Sequence, residues 1–437
     1  MIATIHPRPL AGTVPAIASK SVAHRMIIAA ALANGDTRVR CNTSCEDIDA
    51  TIRCLTALGA RILPVEDGFE VHPVPKSQAY GILKAFAGRT LDCGESGSTL
   101  RFMLPVACAL GADATFTGRG RLGSRPLAPL SDELIAGGCE LTGLGGFPLR
   151  TEGRLRAGEF KLPGNVSSQY ITGLLMAAPL LEGESAVRVT GRIESRPYVN
   201  LTIQALKRFG VEVEIVRGIE DGREVTAFLP RGSYRTPGEA EVEGDWSNAA
   251  FWLCAGAMGR EPVTVDGLSL SSCQGDRTVL AALSRFGARI GRTTTAATVQ
   301  PDRLAGYEFS AADVPDLVPV LAAVASVSAG ATRIRDCARL RIKESDRLET
   351  VRAGLSALGA RVSIEGDDLV IEGVEVLAGG AVDAHGDHRI AMMAAVAATR
   401  CAGDVRIEGA EAVDKSYPLF FEHYRALGGD VELSRGE

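Results

Sequence analysis

Six apolar runs punctuate the chain, each closed by a glycine and followed by a short strand-like stretch. They read RMIIAAALANGDTRVR, RFMLPVACALGADATFTG, YITGLLMAAPLLEGESAVRVTG, AAFWLCAGAMGREPVTVDG, LVPVLAAVASVSAGATRIRD and RIAMMAAVAATRCAGDVRIEG. The closing glycines are Gly35, Gly111, Gly183, Gly259, Gly330 and Gly403, separated by 76, 72, 76, 71 and 73 residues. Spacing this even marks an internal repeat, one supersecondary unit copied along the chain. Within each run apolar residues cover nearly every face of a 3.6-residue helix rather than one stripe, so these helices are predicted to lie inside their domain.

A second pattern recurs roughly 25 residues further into each unit, where an amphipathic helix ends in glycine and re-enters a strand. It appears as CLTALGARIL, ELIAGGCELTG, ALKRFGVEVEI, ALSRFGARIG, GLSALGARVSIEG and HYRALGGDVEL. Glycine in the left-handed conformation closes a helix, and an alternating or β-branched run after it starts a strand. Each unit therefore reads helix, strand, helix, strand, and no single unit can bury its own apolar faces. Six units divide into two domains of three, with the switch at 234–243, where Pro237 and Gly238 break a polar stretch. A short strand from Ala3 to Ile5 precedes the first unit and is expected to return to the C-terminal half, so that two crossing segments form a hinge.

Polar, Gly/Ser/Asp-rich segments stand directly before the apolar helices, at 19–25, 94–101, 165–169, 244–248, 314–316 and 386–389. A helix start exposes unpaired N–H groups and a partial positive charge, which makes it an anion site. The 437-residue chain carries a formal net charge of -6, so no global basic field attracts nucleic acid or an anionic membrane. Any anionic ligand must be met by a local cluster. No apolar run reaches the roughly 18 residues that span a bilayer, and a cytoplasmic location is expected. The ten cysteines are scattered, mostly within apolar patterns, and lack C-x-x-C pairs, which reads as reduced core thiols rather than a metal site.

The basic residues that fall in motif-like segments are Lys20, Arg25, Arg101, Arg121, Lys343, Arg347, Arg389 and Lys415. Arginine forks match phosphate and carboxylate oxygens, and lysine adds a mobile charge that can lose a proton. Asp316 in VPDLVP and Glu344 in RIKESDRLE are acids without an obvious structural duty, although Glu344 also reads as an i,i+3 helix partner of Arg347. Each motif alone has a bland reading: SKSVAHR as a capped helix, GESGSTLR as an ordinary loop, Trp246 and Trp252 as core, His388 as a satisfied polar residue. Recurrence at the same place in successive units favours chemistry.

Taken in order, seven segments resemble the 5-enolpyruvylshikimate-3-phosphate synthase family over essentially the whole chain. They are SKSVAHR at 19–25, RPLAPL after Arg121, VSSQYITGLLMAAPL from Val166, ESRPYV from Glu194, RIKESDRL from Arg341, GDHRIAMM from Gly386 and DKSYPLFF from Asp414. The resemblance implies an α/β (α+β) fold, a two-domain inside-out α/β barrel of six βαβαββ-like units, three per domain. The N-terminal domain, 19–239, would take shikimate 3-phosphate, and 1–18 with 240–437 would form the phosphoenolpyruvate side. Carried over by residue, Lys20, Ser21, Arg25, Ser167, Ser168, Gln169, Ser195, Tyr198, Asp316 and Lys343 are expected to hold shikimate 3-phosphate. Lys20, Gly97, Arg121, Gln169, Arg347, Arg389 and Lys415 are expected to hold phosphoenolpyruvate, with Asp316, Glu344 and Lys20 as the proton-transfer residues.

The implied reaction moves the enolpyruvyl group to the acceptor's 5-hydroxyl through a tetrahedral intermediate and needs no metal or organic cofactor. The implied partners are the two small substrates, with no nucleic acid or membrane, and the protein would act as a monomer. Two positions depart from the family: Glu95 stands where Asn is usual, and Arg339 falls where an Asn commonly contacts the shikimate ligand. The sister enzyme acting on a UDP-amino sugar is disfavoured because its loop cysteine is missing from the stretch 120–126. An RNA 3'-phosphate cyclase would want a basic RNA face, and a repeat scaffold would not need Lys, Asp, Glu and His at helix mouths.

Overall fold

The computed structural model describes residues 1–75 and 88–435. Twelve helices are present among them: α1 (Lys20–Ala31), α2 (Glu46–Ala57), α3 (Gly97–Leu110), α4 (Leu130–Ala136), α5 (Ser168–Ala177), α6 (Arg196–Arg208), α7 (Trp246–Met258), α8 (Val279–Phe286), α9 (Val318–Ser326), α10 (Arg347–Ala357), α11 (His388–Ala398) and α12 (Phe420–Ala426). The odd-numbered helices carry the six apolar runs and the even-numbered ones the amphipathic pattern. All residues of α9 and α11 are buried; α7 partly exposes only Ser247 and α5 only Gln169. What α1 leaves partly exposed is Lys20, Ser21 and Met26. Exposure on these inner helices thus concentrates in their first turns, where ligands can reach helix N-termini.

Six four-stranded sheets accompany the helices, and each repeats one topology: a parallel pair, then two antiparallel neighbours. In the second unit Arg89–Asp92 runs parallel to Ala114–Thr117, which pairs antiparallel with Leu149–Gly153, and that strand with Cys139–Thr142. With α3 and α4 between the strands, the order is β, α, β, α, β, β. Every even-numbered helix turns into its strand through a glycine of positive φ: Gly59 (97°), Gly138 (104°), Gly210 (79°), Gly287 (113°), Gly359 (93°) and Gly428 (88°). An L side chain resists that region, so glycine at this junction is what allows the helix to stop and the strand to begin.

The chain divides into two compact units, Lys20–Val242 and Met1–Ser19 with Glu243–Glu437. Lys20–Val242 holds α1 to α6 and three sheets, one of them completed by Glu239–Glu241 beside Thr37–Arg40. The other unit holds α7 to α12. Its sheets take in Gly12–Pro15 beside Val263–Asp266, and Ile2–His6 between Val405–Glu408 and Asp430–Ser434. In this second unit α7, α9 and α11 pack on one another; Trp246 and Trp252 of α7 are both fully buried, the latter stacked on Phe420 of α12.

Candidate active site

In the unit Lys20–Val242, Arg25 is buried on α1 and ties three helices together. Its Nε donates to Thr202 Oγ1 at 2.9 Å, its Nη2 to Thr172 Oγ1 at 3.3 Å and the Tyr198 carbonyl at 3.1 Å, and its Nη1 to the Ser21 carbonyl at 2.6 Å. Burial pulls this guanidinium down to about 10. Among the described residues no carboxylate contributes to holding it, so an incoming anion would stabilise its charge. Lys20, in the first turn of α1, meets Asp47 in the first turn of α2 at 2.8 Å. Ser195 caps α6 in the left-handed region (φ 53°, ψ 37°) and is buried. A serine held there at a cost of order 1 kcal/mol implies a constraint from its surroundings.

A second knot joins α3 to α5. Arg101 Nη1 donates to Gln169 Oε1 at 3.0 Å and Nη2 to the Pro126 carbonyl at 3.2 Å, while Gln169 Nε2 donates to Ser98 Oγ at 3.0 Å. Ser167 caps α5, its Oγ accepting from the Gln169 amide; Ser168 follows, buried. Gly97 opens α3, and a Cβ there would stand 2.6 Å from Arg101 Nη1 and 2.7 Å from Arg125 Nη1. Arg101 was visible in the sequence as a helix-mouth cation but is not among the residues the resemblance assigns. Arg121 stands apart: it is exposed in the turn Gly120–Ser124, and its guanidinium has no partner among the described residues. The Glu95 carboxylate lies 2.8 to 3.0 Å from where a Cβ on Gly120 would be, which sets an acid beside that turn.

In the other unit the charges converge on Asp316, in the short turn Pro315–Leu317 that leads into α9. Arg347 Nη1 reaches its Oδ1 at 2.8 Å, Lys343 Nζ the same oxygen at 3.5 Å, and Arg389 Nη2 its Oδ2 at 3.4 Å. Arg347 is 1% exposed and is held by two further acids: Glu344 at 2.7 Å, and Asp387 at 2.8 Å through Nε and 3.1 Å through Nη2. Burial alone would lower the Arg347 guanidinium, but Asp387, Glu344 and Asp316 together raise it. For Lys343 burial wins. Its ammonium falls to about 8, with Arg347 and Arg339 adding to the effect and Asp316 and Glu344 opposing it. Lys415 donates to the Gly386 carbonyl at 2.5 Å, at the mouth of α11.

Two acids in this unit were given no role by the sequence reading. Asp387 caps α11 through the Arg389 amide at 3.0 Å and accepts from Ser345 at 3.0 Å, besides clasping Arg347. Its signal was present in GDHR, but nothing in the sequence says which cation it serves. Asp276, in the turn Gly275–Thr278, is buried and lies in no repeated motif. Among the described residues no group of three or more His, Cys, Asp or Glu is placed to hold a metal ion.

The family model for EPSP synthase (3-phosphoshikimate 1-carboxyvinyltransferase) matches residues 5–424. The chain belongs to this family. It is 41% identical to the 3-phosphoshikimate 1-carboxyvinyltransferase of Clostridium kluyveri over 98% of both chains, and 40% identical to that of Clostridium acetobutylicum over 99% of both. Its fold is similar to a solved EPSP synthase from Acinetobacter baumannii, with a TM-score of 0.79, 26% identity, and coverage of 99% of this chain and 100% of that one. No helix among the described residues is long and apolar enough to cross a membrane.

Proposed function

We propose that the chain transfers the enolpyruvyl group of phosphoenolpyruvate to the 5-hydroxyl of shikimate 3-phosphate, giving 5-enolpyruvylshikimate 3-phosphate and phosphate. The observation that carries this reading is Asp316, one carboxylate ringed by Lys343, Arg347 and Arg389 at the mouths of α9, α10 and α11. Asp316 takes the proton from the 5-hydroxyl as its oxygen attacks C2 of phosphoenolpyruvate, and Glu344 or Lys20 delivers a proton to C3. The tetrahedral adduct then loses a C3 proton and expels phosphate, restoring the double bond. Cations around the donor's carboxylate and phosphate stabilise the charge that develops.

On this reading Ser167, Ser168, Gln169, Ser195 and Tyr198, with Lys20, Ser21, Arg25, Asp316 and Lys343, hold the acceptor, so that Lys20–Val242, which carries eight of these ten, is the shikimate 3-phosphate side. Lys20, Gly97, Arg121, Gln169, Arg347, Arg389 and Lys415 serve the donor. Arg25, buried without an anionic partner among the described residues, supports the first assignment, and the cation cluster supports the second. The enzyme acts in the cytoplasm as a monomer without a cofactor; ten free thiols agree with a reducing compartment. Released phosphate, assayed with phosphoenolpyruvate and either shikimate 3-phosphate or a UDP-amino sugar, tests the reading. Release should occur with the first acceptor, and release with the second alone would overturn it.

A further inference from the structure

Most carboxylates buried in a protein are matched by a cation or several hydrogen bonds, because an unpaired buried charge is costly. Asp387 follows that rule through Arg347, Ser345 and the cap of α11. Asp276 does not. It is 2% exposed, its Oδ2 accepts one hydrogen bond from Ser247 Oγ in the first turn of α7, and its Oδ1 has no partner among the described residues. Its neighbour Arg277 is turned away to the Leu270 carbonyl. The turn bearing Asp276 packs on α7, and so does the turn bearing Asp316.

The geometry points to Asp276 as a further residue of the transfer site, a positioning acid whose negative charge strengthens Asp316 as a base against the three cations that hold it. This rests on the proposed role of Asp316 in accepting the 5-hydroxyl proton. The charged groups whose fields act on Asp276 are Asp316, Arg389 of α11 and Asp245, which caps α7. Burial and then the Asp316 charge push the Asp276 carboxyl up to about 7, while Arg389 and the Ser247 hydrogen bond oppose the shift. Repulsion between two carboxylates is mutual, so ionising Asp276 makes Asp316 hold a proton more tightly. Near neutral pH Asp276 then adjusts the base to which its charge is coupled.

The consequence is a rise in turnover as pH passes through about 7, where Asp276 loses its proton. In Asp276→Asn, which keeps the shape and can still accept from Ser247, that rise should vanish and turnover at higher pH should fall roughly tenfold. A residue of purely structural importance would lower the amount of folded enzyme without reshaping the profile. Ser247→Ala gives a second, independent arm: without its hydrogen bond the ionised form is less favoured, so the rise should move to higher pH. An unchanged profile in either folded variant overturns the proposal.

A measurement without turnover separates this proposal from the wider functional reading. A folded-state carboxyl raised above the unfolded value of about 4 contributes stability that is present below that value and lost as pH rises through the folded one. Melting of the ligand-free wild type should therefore fall behind that of Asp276→Asn between about pH 4 and 7 and keep a constant gap above. A gap independent of pH counts against the proton-holding acid, whatever the outcome of the phosphate assay. Conversely, a wild type that releases no phosphate while showing the pH-dependent gap locates the failure in the functional reading.

Discussion

From the sequence alone, Glu344 and Arg347 read as an i,i+3 pair on a helix surface, worth at most about 1 kcal/mol. The contact exists at 2.7 Å, yet its setting differs: Glu344 is 22% exposed and Arg347 is buried, shared among Glu344, Asp316 and Asp387. Removing one charge from a buried set leaves the others undercompensated, so the surface estimate no longer applies. Glu344→Gln keeps size and hydrogen bonding but cannot exchange a proton, and turnover is expected to drop by roughly 100-fold or more at near-constant Michaelis constants. A folded variant with wild-type turnover would take Glu344 out of the mechanism. At this scale the sequence exposed residues whose motifs repeat at helix mouths, such as Lys20, Gln169 and Arg389. It hid those defined by what surrounds them: Asp276 has no periodic neighbour to announce it, and its burial arises only from tertiary packing.

Among the elements, the inner helices were the most legible, because a run apolar on all faces has few places to go but a core. The junction glycines were equally legible, since one local requirement recurs six times. The outer helices in ELIAGGCELTG and HYRALGGDVEL gave weaker patterns, and both form short helices, Leu130–Ala136 and Phe420–Ala426. What no pattern carried is how helices are joined. Asp387 links three of these features: it caps α11, accepts from Ser345 and clasps Arg347 at the start of α10. Asparagine is also a good cap, so Asp387→Asn isolates the loss of charge. The expected cost is about 3 kcal/mol from breaking a buried pair, seen as a lower urea midpoint. The Michaelis constant for phosphoenolpyruvate should rise with it, because the Arg347 fork loses its brace. A variant with wild-type midpoint and Michaelis constant would show that Glu344 and Asp316 suffice to hold Arg347.

At the scale of the molecule, the sixfold repeat is complete only because strands are borrowed from distant parts of the chain. Glu239–Glu241 supplies the parallel strand of the first sheet, Gly12–Pro15 that of the fourth, and Ile2–His6 the antiparallel middle strand of the sixth. Ala3 and Ile5 are fully buried there. Deleting residues 1–6 should leave Val405–Glu408 and Asp430–Ser434 as two unpaired edges over an opened core, with aggregation or loss of cooperative melting as the outcome. That result alone could reflect a need for an intact N-terminus, and a circular permutant separates the two explanations. Ile2 faces Ser434 in register, so a short linker can join residue 435 to Met1, and new ends can open between Asp221 and Gly222 at an exposed hairpin tip. If the strand matters for its place in the sheet rather than its place in the chain, the permutant should melt within a few degrees of the natural protein and keep its turnover. A truncated chain that melts like the full-length protein would sink the idea that the sixth sheet depends on its borrowed strand.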